Sequence, residues 1–380
     1  MTAISPSSPV SRLPSSGFRR TAVVHDWLNG MRGGEKVLEA ILPLVPEPTI
    51  FTLFHVPGSV SPAIERHPIR ASWLNRLPFS RRHYRHFLPL FPSAIESFDL
   101  SGFDLVVSSS HCVAKGAIAP SGVPHLCYCH TPVRYAYEQF DLYFPPGRTR
   151  LRALKAAAIA RLRKWDIATA GRPTRYLANS SAVAARIHRH YGRPARVVHP
   201  PVDVDFFCPA DAPEPRADFL LAVGALVPYK RFDDAIAAAR LLGRRLVLVG
   251  GGPERARLAA LAPSLVEIRD RLSAEQLRAL YRSCALYLQP GEEDFGISTV
   301  EALACGAPVV ALARGGALDI VQDGVNGILC AAEGPEALAA AVARAQVARF
   351  DYTRLRASAL PFGGERFAAE FRGTIGELAK

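Results

Sequence analysis

Two series of short β-rich runs, interleaved with helix-compatible segments and parted by a proline-rich stretch, constrain this chain more than any other feature. The first series is TAVVH (21–25), IFTLF (50–54), DLVVS (104–108), HLCYCH (125–130), RYLAN (175–179) and RVVHP (196–200). The second is FLLAVG (219–224), RLVLVG (245–250), LVEIR (265–269), ALYLQP (285–290) and PVVALA (308–313). Strands joined by helical crossovers stack into a parallel sheet, so each series predicts a doubly wound α/β unit. The expected plan is a disordered leader over 1–20, an N-terminal Rossmann-like domain over 21–199, a linker over 200–216 and a C-terminal Rossmann-like domain over 217–349. A helical segment over 350–380 follows. Loops at the carboxyl ends of parallel strands would meet in the cleft between the two units, so both should serve one site.

The length of 380 residues leaves room for two ordinary cores. No apolar run approaches about 18 residues, so no membrane-spanning helix is expected, and the Ser- and Pro-rich start lacks the apolar core of a secretory signal. Seven cysteines without framework spacing fit a reducing cytoplasm, and no disulfide is expected. The net charge of +12 favours an anionic partner: nucleic acid, a phosphorylated small molecule or an anionic membrane. No nucleic-acid motif accompanies the charge, so a nucleic-acid partner is not expected.

Three loops carry phosphate chemistry. In VVHDWLNGMRGGEKVLEAIL, Gly33 and Gly34 open a helix, where free backbone N–H groups attract anions; a plain tight turn is the simpler reading. In FLLAVGALVPYKRFDDAI, Gly224 is followed by Lys230 and Arg231, two cations able to hold a diphosphate without a metal, or else ordinary solvated charges. The stretch GEEDFGISTVEALACG places Glu293 and Glu301 eight residues apart across a loop that enters a helix. Ser298 and Glu301 fit a capping box, in which Glu301 would only reach back to a backbone N–H; the alternative aims both glutamates at one elongated polar ligand. The run Gly250-Gly251-Gly252 lacks dinucleotide-fingerprint spacing, so NAD is not expected.

Together, EDFGISTVE, RGGEK, VGALVPYKRF and CYCHTPVRYAY resemble the retaining glycosyltransferases of family 4, which have the GT-B fold of two Rossmann-like domains facing across a cleft. The resemblance runs from about residue 21 to the C-terminus. It implies that Glu293 contacts the transferred sugar, Glu301 the ribose hydroxyls and Lys230 the departing diphosphate. Phe295, Gly296, Ile297 and Ser298 would line diphosphate and sugar, Gly34 would approach from the other half, and His130 would sit near the donor sugar and acceptor hydroxyl. It further implies a metal-independent front-face displacement with no cofactor, and a last helix crossing back to the first domain. One departure stands out: the family's phosphate-loop Arg is Ala225 here, and Arg231 is the candidate replacement. Motifs VHDWLNGMRGGEKVLEA and SSSHCVAKG are similar to a mannosyl-transferring branch, making GDP-mannose the first expected donor and a surface polysaccharide the product. A nucleotide-sugar epimerase and a silent GT-B scaffold are the alternatives.

Asp203-Val-Asp205 mimics a metal-binding Asp-x-Asp, but its place in the linker favours a structural role. Cys127-x-Cys129-His130 lacks a second ligand pair, so buried strand cysteines are expected rather than zinc. SSSHCVAKG (108–116) shows Ser and His without an acidic partner, and no hydrolase triad is read there. Two basic segments, RLPFSRRHYRHFLPLFP (76–92) and LRALKAAAIARLRKWD (151–166), interleave cations with aromatic and apolar residues. On the second, Leu151, Leu154, Ala158, Leu162 and Trp165 would share a helical face. The choice there lies between a core-packed helix with a basic rim and a peripheral contact with an anionic membrane. The latter would suit a polyprenyl-diphosphate-linked glycan acceptor and an enzyme at the inner face of the plasma membrane.

Overall fold

The computed structural model describes residues 17–138, 140, 149–211, 215–261 and 264–380. Most of the expected leader, residues 212–214 of the linker and the side chain of Leu151 lie outside the described residues.

Seven parallel strands form the first sheet: β1 Thr21–His25, β2 Pro48–Thr52, β3 Ile69–Ala71, β4 Leu105–Ser110, β5 His125–Cys129, β6 Arg175–Ala178 and β7 Ala195–Val197. Their order is β3-β2-β1-β4-β5-β6-β7. The second sheet has six parallel strands: β8 Phe219–Val223, β9 Arg245–Val249, β10 Val266–Arg269, β11 Leu286–Gln289, β12 Val309–Leu312 and β13 Gly327–Cys330. Its order, β10-β9-β8-β11-β12-β13, repeats the pattern of the first. Each half therefore reverses direction between its first and fourth strands, β1/β4 and β8/β11, and the crevice at such a switch point is where a ligand fits. The short edge strands β3 and β13 had no separate signal in the sequence.

Both sheets are covered on both faces, which is why their strands read as continuous apolar runs. In β4, Leu105 and Val107 join one cluster while Val106 joins the opposite one. In β8, Phe219 and Leu221 face one core and Leu220 and Ala222 the other. Burying each such side chain contributes about 1.5–3 kcal/mol before entropy is subtracted.

The helices used below are α1 Gly33–Ile41, α2 Thr149–Ala168, α3 Ser181–Tyr191, α4 Phe232–Leu241, α5 Ile297–Ala304, α6 Tyr352–Ala359 and α7 Gly364–Leu378. The last two divide between the halves. Leu355 and Ala359 of α6 enter the second-half core, whereas Phe367, Phe371 and Ile375 of α7 pack with Val23, Leu38 and Ile41 of the first.

Helix α2 bears out the apolar stripe drawn from the sequence at Leu162 and Trp165, which join the core, and corrects it at Leu154 and Ile159. Ile159 and Leu162 are its buried apolar residues, and Leu154 is 69% exposed. The register is set instead by Asp166, fully buried against Lys115 at 3.1 Å, with Tyr137 and Tyr191 each donating a hydroxyl to its Oδ2.

His125, on β5, gives the first half a pH dependence. Burial, with the charges of Lys115 and Arg172 behind it, holds its pKa down to about 3. A depressed folded pKa means that its contribution to stability is complete above about pH 6.5 and is lost as the pH falls toward 3. The difference in unfolding free energy between wild type and His125→Gln, followed by urea melts, should therefore shrink on acidification by up to about 1.4 kcal/mol per pH unit. A pH-independent difference would contradict the assignment.

Candidate functional site

The loops that leave the two switch points face one another. In the second half, β11 leads through Pro290–Gly296 into α5. Gly296 adopts φ +106°, and a Cβ there would lie 2.7 Å from Gln289 Oε1 and 3.2 Å from Thr299 Oγ1, so the turn requires glycine. The hydrogen-bonded register of α5 starts with Thr299 N to Gly296 O at 3.0 Å, after the amides of Ile297 and Ser298. Those first-turn N–H groups are the anion-attracting end of the helix.

The N-cap of α5 is thus Gly296, and this settles one expectation against the sequence pattern. Ser298 stands inside the helix, accepting a hydrogen bond from Tyr287 at 2.8 Å. Glu301 does not turn back to the backbone: it is buried, with Oε1 3.1 Å from Lys36 Nζ and Oε2 accepting from Tyr281 at 3.1 Å. The capping box fails because the left-handed glycine caps the helix two residues before Ser298.

Glu293 forms an ion pair with Lys230, which the short helical turn Pro228–Lys230 carries into the cleft. Gly224 lies directly beneath, since a Cβ on it would be 3.3 Å from Lys230 Nζ. Arg231 goes elsewhere. It caps α4 with φ +53°, and its guanidinium reaches Asp234 at 2.6 Å and Glu333 at 2.8 Å, which raise its pKa against the opposing effect of burial. The charge missing at Ala225 is therefore not made good by Arg231 in this arrangement. Phe295 is buried, its ring stacked on His199 at 5.4 Å and near Phe362 at 5.5 Å, so only its backbone is left to line a ligand.

From the first half, Gly33 and Gly34 open α1. A Cβ on Gly33 would be 3.2 Å from Ile297 Cδ1 across the cleft, and one on Gly34 would lie 3.9 Å from His130 Nε2. Behind them runs a polar chain: His130 Nε2 to Ser109 Oγ at 2.8 Å, Ser109 Oγ to His25 Nδ1 at 3.1 Å, and His25 Nε2 to Glu35 at 3.8 Å. Burial, then the neighbouring His111 and His25, hold the His130 pKa well below that of a free imidazole. Burial pushes the Glu35 carboxyl up, but the nearby His25 and His111 outweigh it and the net shift is downward.

His111 does have an acidic partner, contrary to the sequence reading: Asp26 Oδ2 lies 3.2 Å from its Nδ1. Asp26 also accepts the amides of His111, Cys112, Val113 and Ala114 at 2.7–2.9 Å. It is a clasp for that loop, and Ser109 hydrogen-bonds His25 and His130, so no hydrolase triad is assembled. Cys127 and Cys129 are buried on β5 beside Tyr176, and exposed Asp203 accepts the amide of Phe206 at 3.0 Å.

Sequence reasoning missed Lys36, although it lies within RGGEK, and missed both Arg134 and Arg186 together with their acceptors. Arg134, four residues beyond His130, donates to Asp294 at 2.6 and 3.0 Å, and Arg186 of α3 pairs with Glu292 and Asp294.

Two family models match the chain. Residues 47–206 match the family model Glycosyltransferase Family 4, and residues 210–355 match Glycosyl transferases group 1. The D-inositol 3-phosphate glycosyltransferases of Mycobacterium sp. (strain KMS) and Mycolicibacterium smegmatis are 40% and 42% identical over 163 and 155 residues. Those matches span 37% and 35% of this chain and the same shares of the relatives, little more than a third of their length. Among solved structures, sucrose-phosphate synthase of Thermosynechococcus elongatus superposes with TM-score 0.70 at 19% identity, covering 94% of this chain and 98% of that one. Anabaena HepE in complex with UDP gives 0.66 at 18% identity, covering 94% and 100%. These likenesses show the fold: two Rossmann-like domains in the GT-B arrangement.

Proposed function

From a chain that joins a glycosyltransferase family 4 domain to a glycosyl transferases group 1 domain, we propose that it is a retaining glycosyltransferase working on a nucleotide-diphosphate sugar. The observation that carries this reading is the convergence, at two facing switch points, of the Glu293–Lys230 pair, the Lys36–Glu301 pair and the open first turn of α5. A diphosphate laid on that turn would meet Lys230 and Lys36, with Glu301 released to the ribose and Glu293 to the sugar. Such preorganised charge stabilises a departing diphosphate and an oxocarbenium-like sugar without a side-chain nucleophile. No metal or cofactor is invoked.

For the donor, GDP-mannose is the first candidate. UDP-glucose is the second, because HepE is solved with UDP-glucose. The acceptor we favour is a lipid-linked or polysaccharide glycan; a phosphorylated inositol is the specific competitor, on account of the relatives' activity. Incubating the protein with GDP-mannose and UDP-glucose, with and without each acceptor, and reading nucleoside diphosphate release and the anomer of the product, tests the proposal. Release with retained configuration supports it, and conversion of the nucleotide sugar into an epimer, with neither net diphosphate release nor acceptor product, would favour an epimerase instead.

Membrane contact belongs to the same reading. None of the described helices is long and apolar enough to cross a membrane. Phe79, in a left-handed conformation at φ +58°, is 80% exposed beside exposed Arg81 and Arg82, and Leu154 of the basic helix α2 is 69% exposed. Aromatic and cationic groups together suit an anionic interface. Co-sedimentation with phosphatidylglycerol vesicles should weaken about fivefold for each arginine replaced by Ser, at roughly 1 kcal/mol per charge, and further for Phe79→Ser. Equal binding to neutral vesicles would contradict it.

A further inference from the structure

In the loop Glu292-Glu293-Asp294, Glu293 itself is extended, forming a parallel bridge with Gly315. Side chains alternate along extended backbone. Glu293 accordingly points to Lys230 of its own half, while Glu292 and Asp294 on either side point across the cleft to arginines of the other half. Arg134 is 6% exposed and Arg186 is 8% exposed. Arg134 places Nε and Nη2 on Asp294 Oδ1, and its Nη1 reaches Glu292 O at 3.4 Å. Arg186 pairs with Glu292, with Asp294 and, at 3.3 Å, with Glu138 of its own half.

We infer that Arg134 and Arg186 are positioning residues. They fasten the two halves together through the residues flanking Glu293, so that closing the cleft and aiming the Glu293 carboxylate are one event. This rests on the reading above that Glu293 faces the transferred sugar. A planar guanidinium suits the task, because its fork fixes direction as well as distance. The arginines also stand in useful places: Arg134 follows His130 by four residues, and Arg186 lies on the helix whose Ser181 amide already donates to Asp319 of the second half at 2.7 Å. The first half thus grips both the sugar loop and the neighbouring second-half surface.

Separate predictions follow for donor binding and turnover. Lys230, Glu301 and the first turn of α5 all belong to the second half, and Arg186 pairs with none of them, so donor affinity should change much less than turnover. Turnover should fall steeply, since misplacing a reacting group by about 1 Å costs on the order of 100-fold. The test uses the full chain as wild type, Arg186→Met, Arg186→Lys and the isosteric Asp294→Asn, with GDP-mannose and UDP-glucose as probes. Small-angle scattering of each protein, with and without these probes, gives a second readout independent of turnover.

The expected result is a kcat lower by about 100-fold in Arg186→Met and Asp294→Asn, with donor KM within about threefold, partial recovery in Arg186→Lys, and a larger radius of gyration than wild type. Wild-type kcat and an unchanged radius of gyration in Asp294→Asn would overturn the inference. So would a loss that tracks thermal unfolding alone. If the wild type itself turns over neither probe, the transferase reading fails, while the scattering comparison still decides whether these residues hold the halves together.

Discussion

Lys230→Met is expected to lower turnover by about 10²–10³-fold, the largest functional effect of any single change considered for this protein. The ammonium sits in the cleft on Glu293, with Gly224 beneath and the start of α5 ahead. No second cation shares the task from the same loop: Ala225 carries no charge, and Arg231 is spent on Asp234 and Glu333. A diphosphate leaving group would thus lose its principal counter-charge in the second half. Methionine keeps the length and much of the packing, so the fold should be retained. Steady-state kinetics with the active donor, beside a thermal melt, measure this. A fall in kcat with an unchanged melt is the expected outcome; loss of less than about threefold would show that Lys230 merely balances Glu293.

The largest expected effect on stability lies in the core of the first half. Lys115→Met should destabilise the first half by about 3–5 kcal/mol, because it removes one partner of a buried ion pair and leaves the other in place. Lys115 is 1% exposed; it donates to the Asp166 carbonyl at 2.7 Å and to Thr169 at 3.0 Å, and lies over Tyr191 at 4.7 Å from the ring centroid. Asp166 would then be buried with two tyrosine hydroxyls but no cation. A double variant, Lys115→Met with Asp166→Asn, should recover part of the loss, because an uncharged acceptor serves the same hydroxyls. Urea unfolding followed by the fluorescence of Trp165, which neighbours Lys115, gives the readout. Equal stability of both variants would show that the pair is not the anchor of α2.

Much of the architecture was legible because it depends on local pattern. Apolar runs with helical intervals, broken once by prolines, dictate two parallel sheets, and every long strand falls on a run that the sequence displays. The placement of Lys230, Glu293 and Glu301 at the cleft was likewise legible, since Lys230 and Glu293 lie in loops that follow strands and Glu301 in the helix that one such loop enters. What the sequence withheld were partners. Glu301 and Lys36 are 265 residues apart, Arg134 and Asp294 are 160 apart, and nothing local to either end announces the other. Ser298 shows the opposite error: a correct local pattern for a cap was overruled because Gly296 starts the helix earlier. Arg231 shows a third case, in which the right residue type in the right loop turns toward carboxylates of its own half.

The central claim is that one nucleotide-diphosphate sugar is held on the cleft-facing side of the second half by Lys230, Glu301 and the first turn of α5. Isothermal titration of GDP-mannose and UDP-glucose into the wild type, Lys230→Met and Glu301→Gln tests it most directly. The expected result is saturable binding of at least one donor by the wild type, weakened about tenfold or more in each variant, as loss of a charged hydrogen bond implies. No binding of either donor to the wild type, or equal binding by all three proteins, would contradict the claim.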